Sequence, residues 1–301
     1  MNFLNNIGIS FKANYLIQGD NKERSNISKK CNIPNIELNI REDGKNSDIE
    51  SVFNTYSGNV IFNIPTVNVN LGNLSDVQKT IQKLLKYNIK LVIIKTSNLT
   101  MEDYEWSTNE EQDEYISNIS TAIATLASNK VVVAIENTNN YYGQNLNQIS
   151  DILVYSRKKL VNNFKFNESD ANKYIKVCLN ISNVLKSEED IEKWFNIFNS
   201  SIGCIKFNDD EKFNEISNMI LNSCMTYNLD CPILLGEKVD IEEIPSKYDN
   251  YLKFVKDYSI SRNIPIEEKL DEDGFTNIVV TSMIVITILI GILMVYVKFH
   301  I

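Results

Sequence analysis

Short apolar runs rich in β-branched residues recur along the chain, at 7–11, 36–40, 60–63, 90–95, 131–135, 176–179, 202–207 and 232–235. Several show no polar alternation, the pattern of strands buried on both faces of a sheet. Between the later runs lie amphipathic stretches at 75–87, 109–128, 146–161, 187–198 and 210–227, each with apolar residues at i, i+3, i+4 and i+7. Ser75 and Ser187 stand where helix N-caps belong, Ser187 with Asp190 three positions on. Strands that alternate with helices must pair in parallel, because a parallel neighbour needs a crossover. Eight such units predict a closed (β/α)8 TIM barrel of α/β class. The competing arrangement is a doubly wound open sheet. It would carry a glycine-rich first turn, and none of the ten glycines forms GxGxxG or GxxxxGK.

A different pattern closes the chain. No charged residue occurs between Gly274 and Val297, and residues 278–297 read IVVTSMIVITILIGILMVYV. Twenty residues at about 1.5 Å rise match a hydrocarbon core of about 30 Å. The reading is a single C-terminal transmembrane helix whose partner is the lipid bilayer. The chain divides into a barrel at 1–263, an acidic linker at 264–277, the span at 278–297 and a short tail at 298–301. The N-terminal MNFLNNIGISFKANYL has neither a basic n-region nor a long apolar h-region. That places insertion after synthesis and the barrel on the cytosolic side.

Composition then removes whole classes of chemistry. The single histidine is His300, beside the C-terminus, which excludes His-based triads and most zinc sites. The five cysteines are odd in number, lack CxxC spacing, and fit structural thiols in a reducing compartment. Thirty basic against 39 acidic side chains leave a net charge of −9. Gripping nucleic acid requires the opposite balance, so nucleic acid is not the expected partner.

Barrel chemistry sits at the C-terminal ends of the strands. There the chain places Asn63, Lys95, Glu136-Asn137-Thr138, Asn180 with Asn183, Lys206 with Asn208-Asp209, and Gly236-Glu237. These segments resemble the xylose-isomerase-like barrels, and among them the endonuclease IV type of abasic-site nuclease. Asn63-Ile-Pro-Thr-Val-Asn-Val-Asn-Leu is similar to that family's His-Ala-Pro-Tyr-x-x-Asn-Leu, and Val133-Ala-Ile-Glu-Asn-Thr to its Glu-Asn-Thr. Val177-Cys-Leu-Asn-Ile-Ser-Asn resembles its Cys-Leu-Asp-Thr-Cys-His, and Ile205-Lys-Phe-Asn-Asp-Asp its Ile-His-Leu-Asn-Asp-Ser. The resemblance implies a site of two or three divalent metals held by His, Asp and Glu.

The departures empty that site of ligands. Asn63, Lys95, Asn183 and Lys206 stand where the resemblance implies histidines, Asn180 where it implies Asp, and Gly236 where it implies the last Glu. Glu136 alone remains as a ligand, so no metal and no cofactor is expected. Lys95 and Lys206 would flank Glu136 and supply the positive charge instead, making Glu136, Lys95 and Lys206 the candidate catalytic group. The alternative is that both lysines reach out to solvent. Asn63, Asn137, Asn180, Asn183, Asn208 and Asp209 would line the pocket. Tyr141-Tyr142-Gly143 would either stack on a ligand or pack in a loop. The expected protein is a membrane-anchored, non-catalytic endonuclease IV-like barrel, with a protein partner or small ligand at its mouth. The competing class is an active endonuclease IV-like or sugar-isomerase-like enzyme working at a membrane.

Overall fold

Each apolar run becomes a strand. A computed structural model of the chain describes residues 3–10, 32–39, 56, 58–64, 74–96, 109–139, 142–208, 212–236 and 243–264. The strands are β1 (Ile7–Ser10), β2 (Asn35–Asn39), β3 (Asn59–Ile64), β4 (Leu91–Lys95), β5 (Val132–Glu136), β6 (Ile175–Asn180), β7 (Ile202–Phe207) and β8 (Ile233–Leu235). All neighbours are parallel in sequence order, and β1 closes on β8 with Gly8 opposite Leu234. Because β1 bonds to both β2 and β8, no open edge exists and the doubly wound alternative falls. Val133, Ala134 and Ile135 have no exposed surface, as strands covered on both faces require.

One residue from each of six strands fills the barrel interior: Ile61, Ile93, Ala134, Cys178, Cys204 and Leu234. Side chains alternate across a strand, so the next inward positions toward the C-terminal ends are Asn63, Lys95, Glu136, Asn180, Lys206 and Gly236. An apolar plug thus carries a polar layer directly on top of it. Beyond the strands, Ile149, Ile152, Leu153 and Leu160 bury the inner face of the Leu146–Phe164 helix. Asn145 caps that helix by accepting from the backbone N–H of Gln148.

Three features differ from the predicted pattern. Asp190, not Ser187, caps the helix before β7, accepting from the N–H of Glu192, and that helix runs Ile191–Phe198. Ser187 instead closes a separate six-residue helix, Ile181–Lys186, with its hydroxyl donating to the Asn183 carbonyl, and Glu188 at φ 55° prevents continuation. A further short helix, Glu168–Tyr174, precedes β6. The last helix, Ile244–Ser261, carries no uniform apolar stripe but buries Tyr248, Tyr251, Val255 and Tyr258, spaced three and four apart. Its core contribution is largely aromatic, with Tyr251 edge-on to Phe207 and Phe213.

Contacts separate the chain into two compact units, Met1–Pro265 and Ile266–Ile301. The predicted span at 278–297 lies outside the described residues, and among those described no helix is long and apolar enough to cross a membrane.

Candidate functional site

The polar layer is organised around a buried ammonium. Lys206, on β7, is 2% exposed, so it does not reach out to solvent. Its Nζ donates to Glu37 Oε1 at 3.0 Å and lies 3.3 Å from Glu136 Oε1. Both carboxylates are essentially without exposure, at 1% and 0%. Neutral amides complete the arrangement. Asn63 donates through Nδ2 to Glu37 Oε1 at 2.6 Å, and Asn180 donates through Nδ2 to Glu136 Oε1 at 2.9 Å. Burying a charge is tolerable only when it is paired and hydrogen-bonded, and every charge here meets that condition in part. The exception is Glu37 Oε2, a buried acceptor with no hydrogen-bond partner.

Of the three residues that sequence reasoning grouped, Glu136 and Lys206 converge. Lys95 sits opposite Glu136 in the β4–β5 register, half-buried, at the inward position above Ile93. Two cationic positions therefore flank the β5 carboxylate. The residue missed by that reasoning is Glu37. It lies inside the apolar run of β2, where Asn35 and Glu37 share one face, and a lone Glu there was the available signal. Its bond to Lys206 joins residues 169 positions apart, so only barrel closure brings them together.

Several expected pocket residues do other work. Asn137 is fully buried and clamps the end of β6, with Nδ2 donating to the Asn180 carbonyl at 3.0 Å and Oδ1 accepting from the Asn180 N–H at 2.6 Å. Asn183 lies in the first turn of the Ile181–Lys186 helix and donates through Nδ2 to the Asn137 carbonyl, so it supports that clamp rather than facing the barrel axis. Asn208 is half-buried, its N–H donating to Ser182 Oγ. Asp209 and Glu237 lie outside the described residues. Tyr142 is packed, not presented: its ring lies edge-on to Tyr115 at 5.3 Å, and its carbonyl accepts from Thr96. Gly143 makes this approach at φ 100°, close against Thr96, where a side chain would be strained.

The donor set does not fit a divalent metal. The two carboxylates are already bridged by an ammonium, whose charge repels a cation at that point, and the other groups are amide donors. Among the described residues no three His, Cys, Asp or Glu side chains converge as ligands. At the end of β8, Gly236 has φ 70° and donates its N–H to the Phe207 carbonyl, a conformation that disfavours the Glu which the resemblance implies there. What the site can do is hold fixed positive and negative charge in a dry environment and accept one further hydrogen bond at Glu37 Oε2.

No protein-family model matches the chain, and no curated protein does. Solved structures do match. The chain is similar to 3-keto-D-glucoside 4-epimerase from E. coli, with a TM-score of 0.60 and 11% identity over 83% of this chain and 98% of that one. It is similar to D-allulose 3-epimerase from Methylomonas sp., with a TM-score of 0.59 and 9% identity over 82% and 96%. A family 2 AP endonuclease from Brucella melitensis matches with a TM-score of 0.55 and 12% identity over 81% and 98%. The likeness spans nearly the whole of each neighbour. This chain has the fold of the xylose-isomerase-like TIM barrels.

Proposed function

We propose that this chain is a membrane-attached barrel in which an internal Glu–Lys–Glu cluster replaces a divalent metal centre, and that it serves as a binding or scaffold protein. The observation that carries this reading is Lys206 Nζ lying between Glu37 and Glu136, with all three side chains at most 2% exposed. An ammonium so held supplies, between the two carboxylates, the positive charge that a metal would otherwise bring. The apolar run at 278–297 supplies the attachment.

The test uses the full chain purified in detergent, stripped with chelator and titrated with zinc, manganese and magnesium. The reading expects less than one equivalent of any of them to be retained, and no cleavage of an abasic-site oligonucleotide. Stoichiometric metal together with cleavage, or with epimerisation of a ketose, would overturn it. For attachment, the full chain is expected to resist extraction by alkaline carbonate, and a variant ending at residue 265 to be released.

A second reading, an active enzyme, is favoured by one observation: Glu37 Oε2 is a buried acceptor awaiting a donor. A ligand hydroxyl or amine that donates to this oxygen would satisfy it. Glu37→Gln separates the readings, because turnover that falls with this change requires a catalytic site.

A further inference from the structure

The opposite end of the barrel, where β6 and β7 begin, holds a second polar concentration. A cleft of about 440 Å3 is lined there by Arg157, Lys173 and Lys176 together with Ser169, Ser200 and Ser201. In a chain of net charge −9, this lining contains three cations and no carboxylate. Among the described residues, none of the three cations makes an ion pair.

Two of the cations are held in place by neutral groups. Arg157 projects from the Leu146–Phe164 helix and donates from Nε and Nη2 to the Ile175 carbonyl, at 3.2 and 2.8 Å, and from Nη2 to Ser201 Oγ at 3.1 Å. This uses three of its five N–H donors, and both Nη1 donors lack an acceptor among the described residues. Lys176, second in β6, donates through Nζ to the Ser200 carbonyl at 2.7 Å. Its stem lies against Gly203, where an added Cβ would meet Lys176 Cβ at 2.6 Å, so the glycine is what admits it. The β6–β7 register shifts at this point, next to Val177 and Cys178. Lys173 is exposed on the Glu168–Tyr174 helix, its ammonium 5.1 Å from the centre of the Tyr174 ring.

The cations also disfavour one another. Burial lowers the pKa of Arg157 to about 10, and burial followed by the charge of Arg157 lowers that of Lys176. Only the Cys231 thiol acts in the other direction on Lys176, and no carboxylate does so. Such a pair stands at a disadvantage that a bound anion would remove.

We propose that this cleft binds a phosphomonoester, with Arg157, Lys173 and Lys176 facing the phosphoryl oxygens and the serine hydroxyls and Asn172 facing the remainder of the ligand. A dianion matches a wall of three cations better than a carboxylate does, and the two unused N–H groups on Nη1 of Arg157 can each donate to a phosphoryl oxygen. The volume lies within the usual range for small-molecule pockets, roughly 300–1,000 Å3, which favours an ester over bare phosphate. The phosphomonoester could belong to a soluble molecule or to a lipid headgroup. The site lies at the N-terminal ends of the strands and is independent of the Glu–Lys–Glu cluster.

Glycerol 3-phosphate is the probe, titrated calorimetrically into the full chain in mild detergent at constant ionic strength. Saturable binding of one equivalent is expected, weakened about tenfold or more by Lys173→Ala and by Arg157→Lys. Lys173 touches only a neighbouring ring, so its variant should keep the parent melting temperature, and loss of binding there is not loss of fold. Displacement of the probe by dioctanoyl phosphatidic acid but not by dioctanoyl phosphatidylcholine supports the site with a lipid headgroup as source. Displacement by neither supports it with a soluble source. No saturable binding, or binding that both variants leave unchanged, would overturn the proposal.

Discussion

Replacing Lys206 with Met keeps most of its volume and deletes its charge, leaving Glu37 and Glu136 buried without the ammonium that lies between them. At an effective dielectric of about 20, a unit charge pair at 3.0 Å contributes about 5 kcal/mol and one at 3.3 Å about the same. Desolvation of the ammonium offsets much of this in the parent. Experience with buried pairs that lose one partner puts the net effect at about 3–5 kcal/mol. For a domain of this size that corresponds to a fall in melting temperature of roughly 6–20 °C. The assay is urea unfolding of the full chain followed by near-ultraviolet circular dichroism. It compares the parent, Lys206→Met, and the triple variant Lys206→Met/Glu37→Gln/Glu136→Gln. Removing all three charges together should recover at least half of the loss, because apolar or neutral replacement of a complete buried cluster is close to neutral. A single substitution that costs under about 1 kcal/mol would refute the reasoning. So would a triple variant as unstable as the single one, since that assigns the loss to packing and not to charge.

Other outcomes follow from separate parts of the molecule. Burial raises the thiols of Cys178 and Cys231 well above the usual 9 and that of Cys224 to about 12, so the folded protein keeps protons that the unfolded chain releases. Stability should therefore be fully present below pH 9 and fall above it by about 1.4 kcal/mol per pH unit for each thiol. Arg157 opposes this only above pH 10, and Cys224→Ala should make the fall shallower by one thiol's share in urea titrations between pH 8 and 11. Gly8→Ala would place a Cβ 2.7 Å from both Asn35 Cβ and Leu234 Cδ2 at the β1–β2–β8 junction, and should lower stability by about 1–3 kcal/mol in the same unfolding assay. Asn137→Ala removes both bonds to the Asn180 backbone and should destabilise by roughly 2–4 kcal/mol, whereas a change below about 0.5 kcal/mol would dismiss the clamp. Asn180→Asp with Lys206→His, which places Asp and His beside Glu136, should bind zinc or manganese at least tenfold more tightly than the parent in calorimetric titration.

The strand ends show what a linear reading can and cannot reach. Glu136, Asn180 and Lys206 were legible because each stands at or beside the end of an apolar run, and the end of a barrel strand is where inward polar groups belong. Asn137 and Asn183 were legible as positions but not as roles. Whether an amide faces the axis or clamps a neighbouring backbone depends on the path of the chain after β6, where a helix of only six residues begins at once. The misplaced cap has a similar cause. Ser187 and Asp190 both suit an N-cap by chemistry, and only the left-handed backbone at Glu188 decides between them.

The sequence by itself determined the barrel's eight-strand rhythm and the absence of histidine from every strand end. It also determined the acidic balance and the uncharged run at 278–297, since composition and periodicity are local properties of the chain. Only the tertiary structure decided that Lys206 points inward to two carboxylates, that Glu37 is one of them, and that Arg157 and Lys176 stand together at the far end. These pairings join residues 169, 70 and 19 positions apart, across strands or between a helix and a strand. Nothing in the local pattern specifies which polar side chain will share a buried space with which other. That is set by closure of β1 on β8 and by the register between strands, which place charges side by side only after the whole barrel has formed.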